Sequence, residues 1–297
     1  MPGIPNDQLT TWSQIGAQAT STGTYATIKL ALEADGTGYK GKAKTFLQGS
    51  YGNDTNIIRE SDVDVVIRLD SIFSYDISAL PEPQKTNFQQ THPNATEYTR
   101  ADFKRDVLAV LNDRFKGDVE PSNKAVLIKA RNNRRKADVL ITVQHRKYSQ
   151  YTGSPSDNPV LGISFFKSDG TRVVNYPTQH RDNLTEKNQA TNEWFKHLIR
   201  IFKNARQRLI EDGVIEESVA PSYYIEGLLY NVPNANFGTS YESSMLNILR
   251  WLHSADLSKL KCANLEYPLL DANADVTWST ADCQAYIDAM IKLWNDW

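Results

Sequence analysis

A Gly-Ser pair, two aspartates one residue apart and a third, more distant aspartate are the residues of this 297-residue chain whose types and spacing suit joint chemistry. Gly49 permits close backbone approach, and the Ser50 hydroxyl with neighbouring backbone N–H groups can hold phosphate oxygens. Eleven residues separate Ser50 from Asp62, and Asp62 and Asp64 open the run DVDVVIRL. Two positions apart in a strand, both carboxylates project to one face, and paired hard oxygens suit Mg²⁺. Two such ions, about 3.5–4 Å apart, can hold an attacking hydroxyl and a leaving phosphate in line, given a third carboxylate on a neighbouring strand. Asp138 in KADVLITV is the candidate, because an unpaired carboxylate between apolar neighbours is costly to keep without a task. An Asp-Val-Asp strand start alone is common, so the combination carries the signal.

The elements that must position these groups are readable in part. Asp62–Leu69 alternates with β-branched residues and reads as a strand that the two aspartates open. Lys124–Ala130 and Lys136–Val143 read as two strands of an antiparallel hairpin across RNNRR, a solvated turn, so Asp138 sits inside a strand. A second pair, Val160–Phe166 and Thr171–Asn175, flanks the turn Ser168-Asp169-Gly170. Thr99-Arg100-Ala101-Asp102 is a capping-box pattern, followed by apolar Phe103, Val107, Val110, Leu111 and Phe115 before Gly117, which predicts an amphipathic helix. Residues 10–33 read as one long helix weakened at Ser21, Thr22, Gly23 and Thr24. Beyond Asn188 helices are expected over about 190–212, 222–230, 239–253 and 280–295 from their apolar periodicity. The expected organisation is a core lobe over 1–187, with the N-terminal helix as its spine, and a helical lobe over 188–297, with a cleft between them.

Composition narrows the chemistry. With 33 basic and 35 acidic residues the net charge is −2, which argues against wrapping a long polyanion and leaves a small anionic substrate open. Cys262 and Cys283 form no CxxC and the five histidines no HExxH, so a zinc site is not supported, and His145, His180 and His197 are read as structural or surface residues. The N-terminus has no cationic start and no apolar run, and no segment of about 18 apolar residues occurs. A cytoplasmic protein without membrane contact is expected.

Leu47-Gln48-Gly49-Ser50, Asp62-Val63-Asp64-Val65 and Ala137-Asp138-Val139 together resemble the hG[GS]…DhDh…hDh pattern of the DNA polymerase β-like nucleotidyltransferase superfamily. The wording GSYGNDTNIIRESDVDVV, the later NYPTQHRDNLTEKN and the EWFKHLIRIFK helix are similar to the bacterial cGAS/DncV-like nucleotidyltransferases (CD-NTases) of CBASS anti-phage systems, across most of residues 10–255. The resemblance implies an α/β fold, with a polymerase-β-like mixed sheet carrying the aspartates and a C-terminal helical lobe. It implies that ATP, UTP or GTP is joined into a cyclic dinucleotide or trinucleotide with two Mg²⁺ ions, for which Mn²⁺ can substitute, and that an effector protein encoded in the same operon senses the product.

The resemblance also extends the site. A lysine on the helix matching FKHLIRIFKNAR contacts triphosphate in the oligoadenylate-synthase and cGAS relatives, and that position is Lys203. A polar residue and a tyrosine open the next helix in those relatives, matching Ser222 and Tyr223, with Tyr223 able to stack on a nucleobase. Asn175 falls where relatives lid the site and read a base edge, and its amide offers donor and acceptor to uracil or adenine. The zinc insertion of the vertebrate DNA sensor has no counterpart here, so no long nucleic-acid activator is expected, and the chain is expected to act as a monomer. The C-terminal segment Tyr286–Trp294 reads as an amphipathic helix, so conjugation of a flexible tail is not expected. Two other readings share the motif: transfer of one nucleotide to a non-nucleotide acceptor, and a catalytically silent nucleotide sensor.

Overall fold

The computed structural model describes residues 3–16, 18–59, 62–92, 97–154, 156–271 and 276–297. Contacts divide the chain into two compact units: a sheet unit of Ala19–Leu47 and Asp62–Tyr176, and a helical unit of Met1–Gln18, Gln48–Ser61 and Pro177–Trp297. The single border expected at 187/188 differs from this division, in which each unit gathers separate stretches of chain.

The sheet unit contains helix α2 (Ala19–Leu32), strand β1 (Ala43–Leu47), strand β2 (Val63–Asp76), helices α4 (Glu82–Thr91) and α5 (Arg100–Phe115), and strands β3 (Val119–Pro121), β4 (Val126–Ile128), β5 (Ala137–Lys147), β6 (Val160–Phe166) and β7 (Arg172–Asn175). The numbering leaves α1 and α3 to the helical unit. The sheet runs β1-β2-β5-β4-β3, and β6 joins β5 to β7. β5 is its centre: β2 lies parallel along one edge, while β4 and β6 pair antiparallel with the two ends of the other. Buried Val139, Leu140 and Val143 suit such a central strand. The hairpin across RNNRR is present, with Arg131 and Arg134 bridged and Asn132 at positive φ. Helix α5 has its full capping box at Thr99 and Asp102 and buries Phe103, Val107, Leu111 and Phe115.

The helical unit contains α1 (Asn6–Ser13), the four-residue turn α3 (Gly49–Gly52), α6 (Pro177–Ala190), α7 (Trp194–Glu211), α8 (Ser222–Asn231), α9 (Tyr241–Ser254) and α10 (Thr280–Asp296). One apolar cluster joins α1 and α6 to α10, from Ile4 and Leu9 through Phe195, Ile199, Phe202, Leu228 and Ile248 to Tyr286 and Trp294. Among the described residues, no helix is long and apolar enough to cross a membrane.

One expected helix differs from the structure, and two further helices were not expected. The N-terminal helix is two helices, and the break falls after Ser13 rather than at Ser21–Thr24. The Gly16 amide donates to Asn56 O at 3.0 Å, and a Cβ at Gly16 would meet Ile57 O at 2.4 Å, so backbone approach interrupts the helix there. Thr24 is helical, and its hydroxyl finds its partner within the helix by donating to Thr20 O at 2.8 Å. Ala17, inside that expected helix, lies outside the described residues. Helix α6 was not expected: its buried positions, His180, Leu184 and Asn188, keep helical spacing but only one is apolar. Helix α4 buries only Phe88 and left as little signal.

Candidate active site

In the sheet unit the carboxylates come together through strand register. β2 and β5 are parallel with Val63 opposite Ala137 and Asp64 opposite Asp138, and the Val63 N–H donates to Lys136 O at 3.0 Å. Asp62 immediately precedes β2, so the period of two gives it the face of Asp64. Lys136 answers this negative charge: its Nζ donates to Asp62 Oδ2 at 2.5 Å, and that bond, with the charges of Asp62, Asp138 and Asp64, holds the ammonium above its ordinary pKa. Asp138 is left under-compensated. Burial raises its proton affinity, Lys136 opposes this, Asp62 adds to it, and the net direction is upward.

This donor set fits Mg²⁺ by chemistry, being wholly anionic oxygen, with the Asp138 charge only partly offset. Among the described residues, no three His, Cys, Asp or Glu side chains already converge as a metal cage, and the Lys136 ammonium lies against Asp62.

In the helical unit, Gly49 has φ +65°, in the left-handed region that favours glycine, and opens turn α3. The turn is closed by the Asn53 N–H to Gly49 O and the Thr55 N–H to Ser50 O, both 3.0 Å. The segment after it, Asn53-Asp54-Thr55-Asn56, is polar, yet Asn53, Thr55 and Asn56 are buried. Helix α7 meets it with three buried cations at helical spacing: Lys196 pairs with Asp54 Oδ2 at 3.2 Å, Arg200 donates to Asp54 O at 2.8 Å, and Lys203 donates to Thr55 O at 3.2 Å. Lys203 is 1 % exposed and also pairs with Glu226 Oε1 at 2.9 Å.

Helix α8 begins at Ser222, after Pro221. The Tyr223 ring stacks on His180 with centroids 4.7 Å apart, and Asn264 Nδ2 donates to its hydroxyl at 3.0 Å. Asn175 ends β7 in the sheet unit, and its side-chain oxygen accepts the Tyr176 N–H at 2.8 Å. His145 and His180 are buried and His197 half-buried. His145 accepts from Ser74 and Arg172, and burial, then the Arg172 charge, push its pKa down to about 4. Lys136, expected with the solvated residues of the hairpin turn, instead pairs with Asp62, and Asn53, Thr55 and Glu226 were not among the expected site residues. The signal for Glu226 was available in YYIEGLLY, where a carboxylate interrupts an apolar helix as Asp138 interrupts a strand.

Residues 182–295 match the family model of the cGAS/DncV-like nucleotidyltransferase C-terminal helical domain. The chain is 39% identical over 298 residues to the cyclic UMP-AMP synthase of Rhodothermus marinus, covering 99% of both. It is 36% identical over 302 residues to the cyclic nucleotide synthase CdnE01 of Staphylococcus haemolyticus, again over 99% of both. The solved structure of the R. marinus CdnE c-UMP-AMP synthase with Apcpp and Upnpp superposes with a TM-score of 0.89 at 38% identity, over 99% of this chain and 97% of that one. The match of fold, full length and helical domain places the chain in the cGAS/DncV-like nucleotidyltransferase (CD-NTase) family, among the cyclic-nucleotide synthases.

Proposed function

We propose that this chain joins nucleoside triphosphates into a cyclic dinucleotide, or a trinucleotide, and releases pyrophosphate at each bond. The observation that carries the reading is the register of Asp64 opposite Asp138 on parallel strands, with Asp62 beside them and the Asp138 charge only partly offset. Asp62, Asp64 and Asp138 are the residues that would hold two Mg²⁺ ions, or Mn²⁺ in their place; when bound, such ions neutralise triphosphate charge and acidify a ribose hydroxyl.

The chain's own groups do the rest. Gly49, Ser50 and Lys203 bind phosphate oxygens, a role supported by the bonds that tie Lys203 to Thr55 and Thr55 to Ser50 within the helical unit. Ser222 at the start of α8 adds a phosphate contact, Tyr223 stacks on a base, and Asn175 reads a base edge through its amide. A ribose hydroxyl of one nucleotide attacks the α-phosphate of another, Asp138 accepts the hydroxyl proton, and the bond to pyrophosphate breaks as the new ester forms. A second attack within the linear product closes the ring. The name of the R. marinus relative makes ATP and UTP the first pair to test, with GTP as the third. We place the enzyme in the cytoplasm as a monomer in a CBASS anti-phage system, its product read by an effector encoded beside it.

Labelled ATP, UTP and GTP are incubated with the protein and Mg²⁺ or Mn²⁺, treated with phosphatase and separated. A phosphatase-resistant product containing two or three nucleotides is expected. Tight triphosphate binding without pyrophosphate release would instead identify a silent sensor, and pyrophosphate release only on adding a non-nucleotide acceptor would identify transfer to that acceptor.

A further inference from the structure

Four side chains of the helical unit converge on the carboxylate of Glu226, which is 2 % exposed on α8, one turn beyond Ser222. Thr55 Oγ1 and Lys203 Nζ donate to Oε1 at 2.5 and 2.9 Å, while Asn53 Nδ2 and His180 Nε2 lie 2.9 and 2.7 Å from Oε2. Each of the four is also attached to a candidate nucleotide-binding group. Asn53 and Thr55 close the Gly49-Ser50 turn through their backbone N–H groups. Lys203 is itself a candidate phosphate ligand, and His180 stacks on Tyr223.

A hub of this kind is a poor device for stability alone. Buried ion pairs are often replaceable by well-packed apolar residues without loss, whereas a fully bonded polar network fixes one geometry. Apolar packing is already plentiful around α8, where Ile225, Leu228 and Leu229 flank Glu226 in the core cluster. The one charge in that stretch is spent on the segment that follows the glycine turn.

We propose that Glu226 is a positioning residue for triphosphate binding, fixing the Gly49-Ser50 turn through Asn53 and Thr55 and the Lys203 ammonium through its charge. The assignment rests on the function proposed above and adds to it a residue that touches no substrate atom. In Glu226→Gln the carboxylate charge is lost and a buried amide faces the Lys203 ammonium. In Thr55→Val one donor is removed at nearly constant volume.

Wild type, E226Q and T55V are titrated with α,β-methylene-ATP and with AMP by calorimetry, and their thermal melting is recorded. For the triphosphate analogue, E226Q is expected to bind about tenfold more weakly or worse and T55V about fivefold more weakly, while both stay within about twofold for AMP. KM for ATP rises in step. Unchanged analogue affinity in a folded E226Q overturns the assignment, as does an equal loss for both ligands. If E226Q does not fold, T55V decides by the same criterion. A wild type that binds neither ligand overturns the proposed function and this assignment together, whereas wild-type binding with unaltered variants overturns the assignment alone.

Discussion

Asp138 in the sheet unit and Glu226 in the helical unit are both carboxylates set among apolar neighbours, and they are treated in opposite ways. Burial works against the charge of Glu226, but Lys203, His180 and Thr55 outweigh it and hold its carboxyl well below the ordinary glutamate range. Burial also works against the charge of Asp138, and there Lys136 does not outweigh it, so the carboxyl sits above the ordinary aspartate range. One charge is completed by the protein itself. The other is left short of positive charge, as a metal ligand should be before its metal arrives.

The comparison breaks most visibly at Glu226. Removing one member of a completed buried pair strands the other, so Glu226→Ala should cost about 3–5 kcal/mol of folding stability by denaturant titration, and adding Lys203→Met should return part of it. The sign with pH follows from the lowered carboxyl: its contribution is present above the ordinary glutamate pKa and fades as pH falls below it, and E226A lacks that loss. Asp138→Asn should do the reverse. Nucleotide transfer should fall about 100-fold or more, while the metal-free protein melts higher, because an ionised carboxylate that is disfavoured when folded is gone. A D138N protein that melts lower would refute the under-compensated reading.

A smaller effect is expected in the acid limb of activity. Since Asp138 must be ionised, protons should compete with Mg²⁺ at pH values above the ordinary aspartate pKa of 3.8, and the half-saturating Mg²⁺ concentration should climb as pH falls toward that limb. The smallest is at Lys136. Lys136→Met removes a cation paired with Asp62, so at pH 8 the half-saturating Mg²⁺ concentration should drop about 2–5-fold.

How much of this was legible in the sequence differs between the same two regions. The sheet site was readable because strand periodicity of two and β-branched runs place Asp62, Asp64 and Asp138 without knowledge of anything distant. Asp138 betrayed itself as a charge in an apolar strand. Its register against Asp64 and the neutralising Lys136 were not readable, because parallel pairing joins segments more than 70 residues apart in sequence with no local signature. The Glu226 hub was illegible for the same reason in stronger form: Thr55 and Glu226 are 171 positions apart, and Asn53-Asp54-Thr55-Asn56 looks like a solvated loop until α7 and α8 cover it. Helix α6 was missed because burying His180 and Asn188 through hydrogen bonds does not need the apolar stripe that periodicity detects.

The central claim is that the register-paired carboxylates, and not the helical hub, carry out the transfer. Its most direct test is pyrophosphate release from ATP and UTP with Mg²⁺, comparing wild type with Asp64→Asn at matched folded fraction. Steady release by wild type is expected, with a fall of about 100-fold or more in D64N and triphosphate-analogue binding retained. Equal release by the two proteins would contradict it.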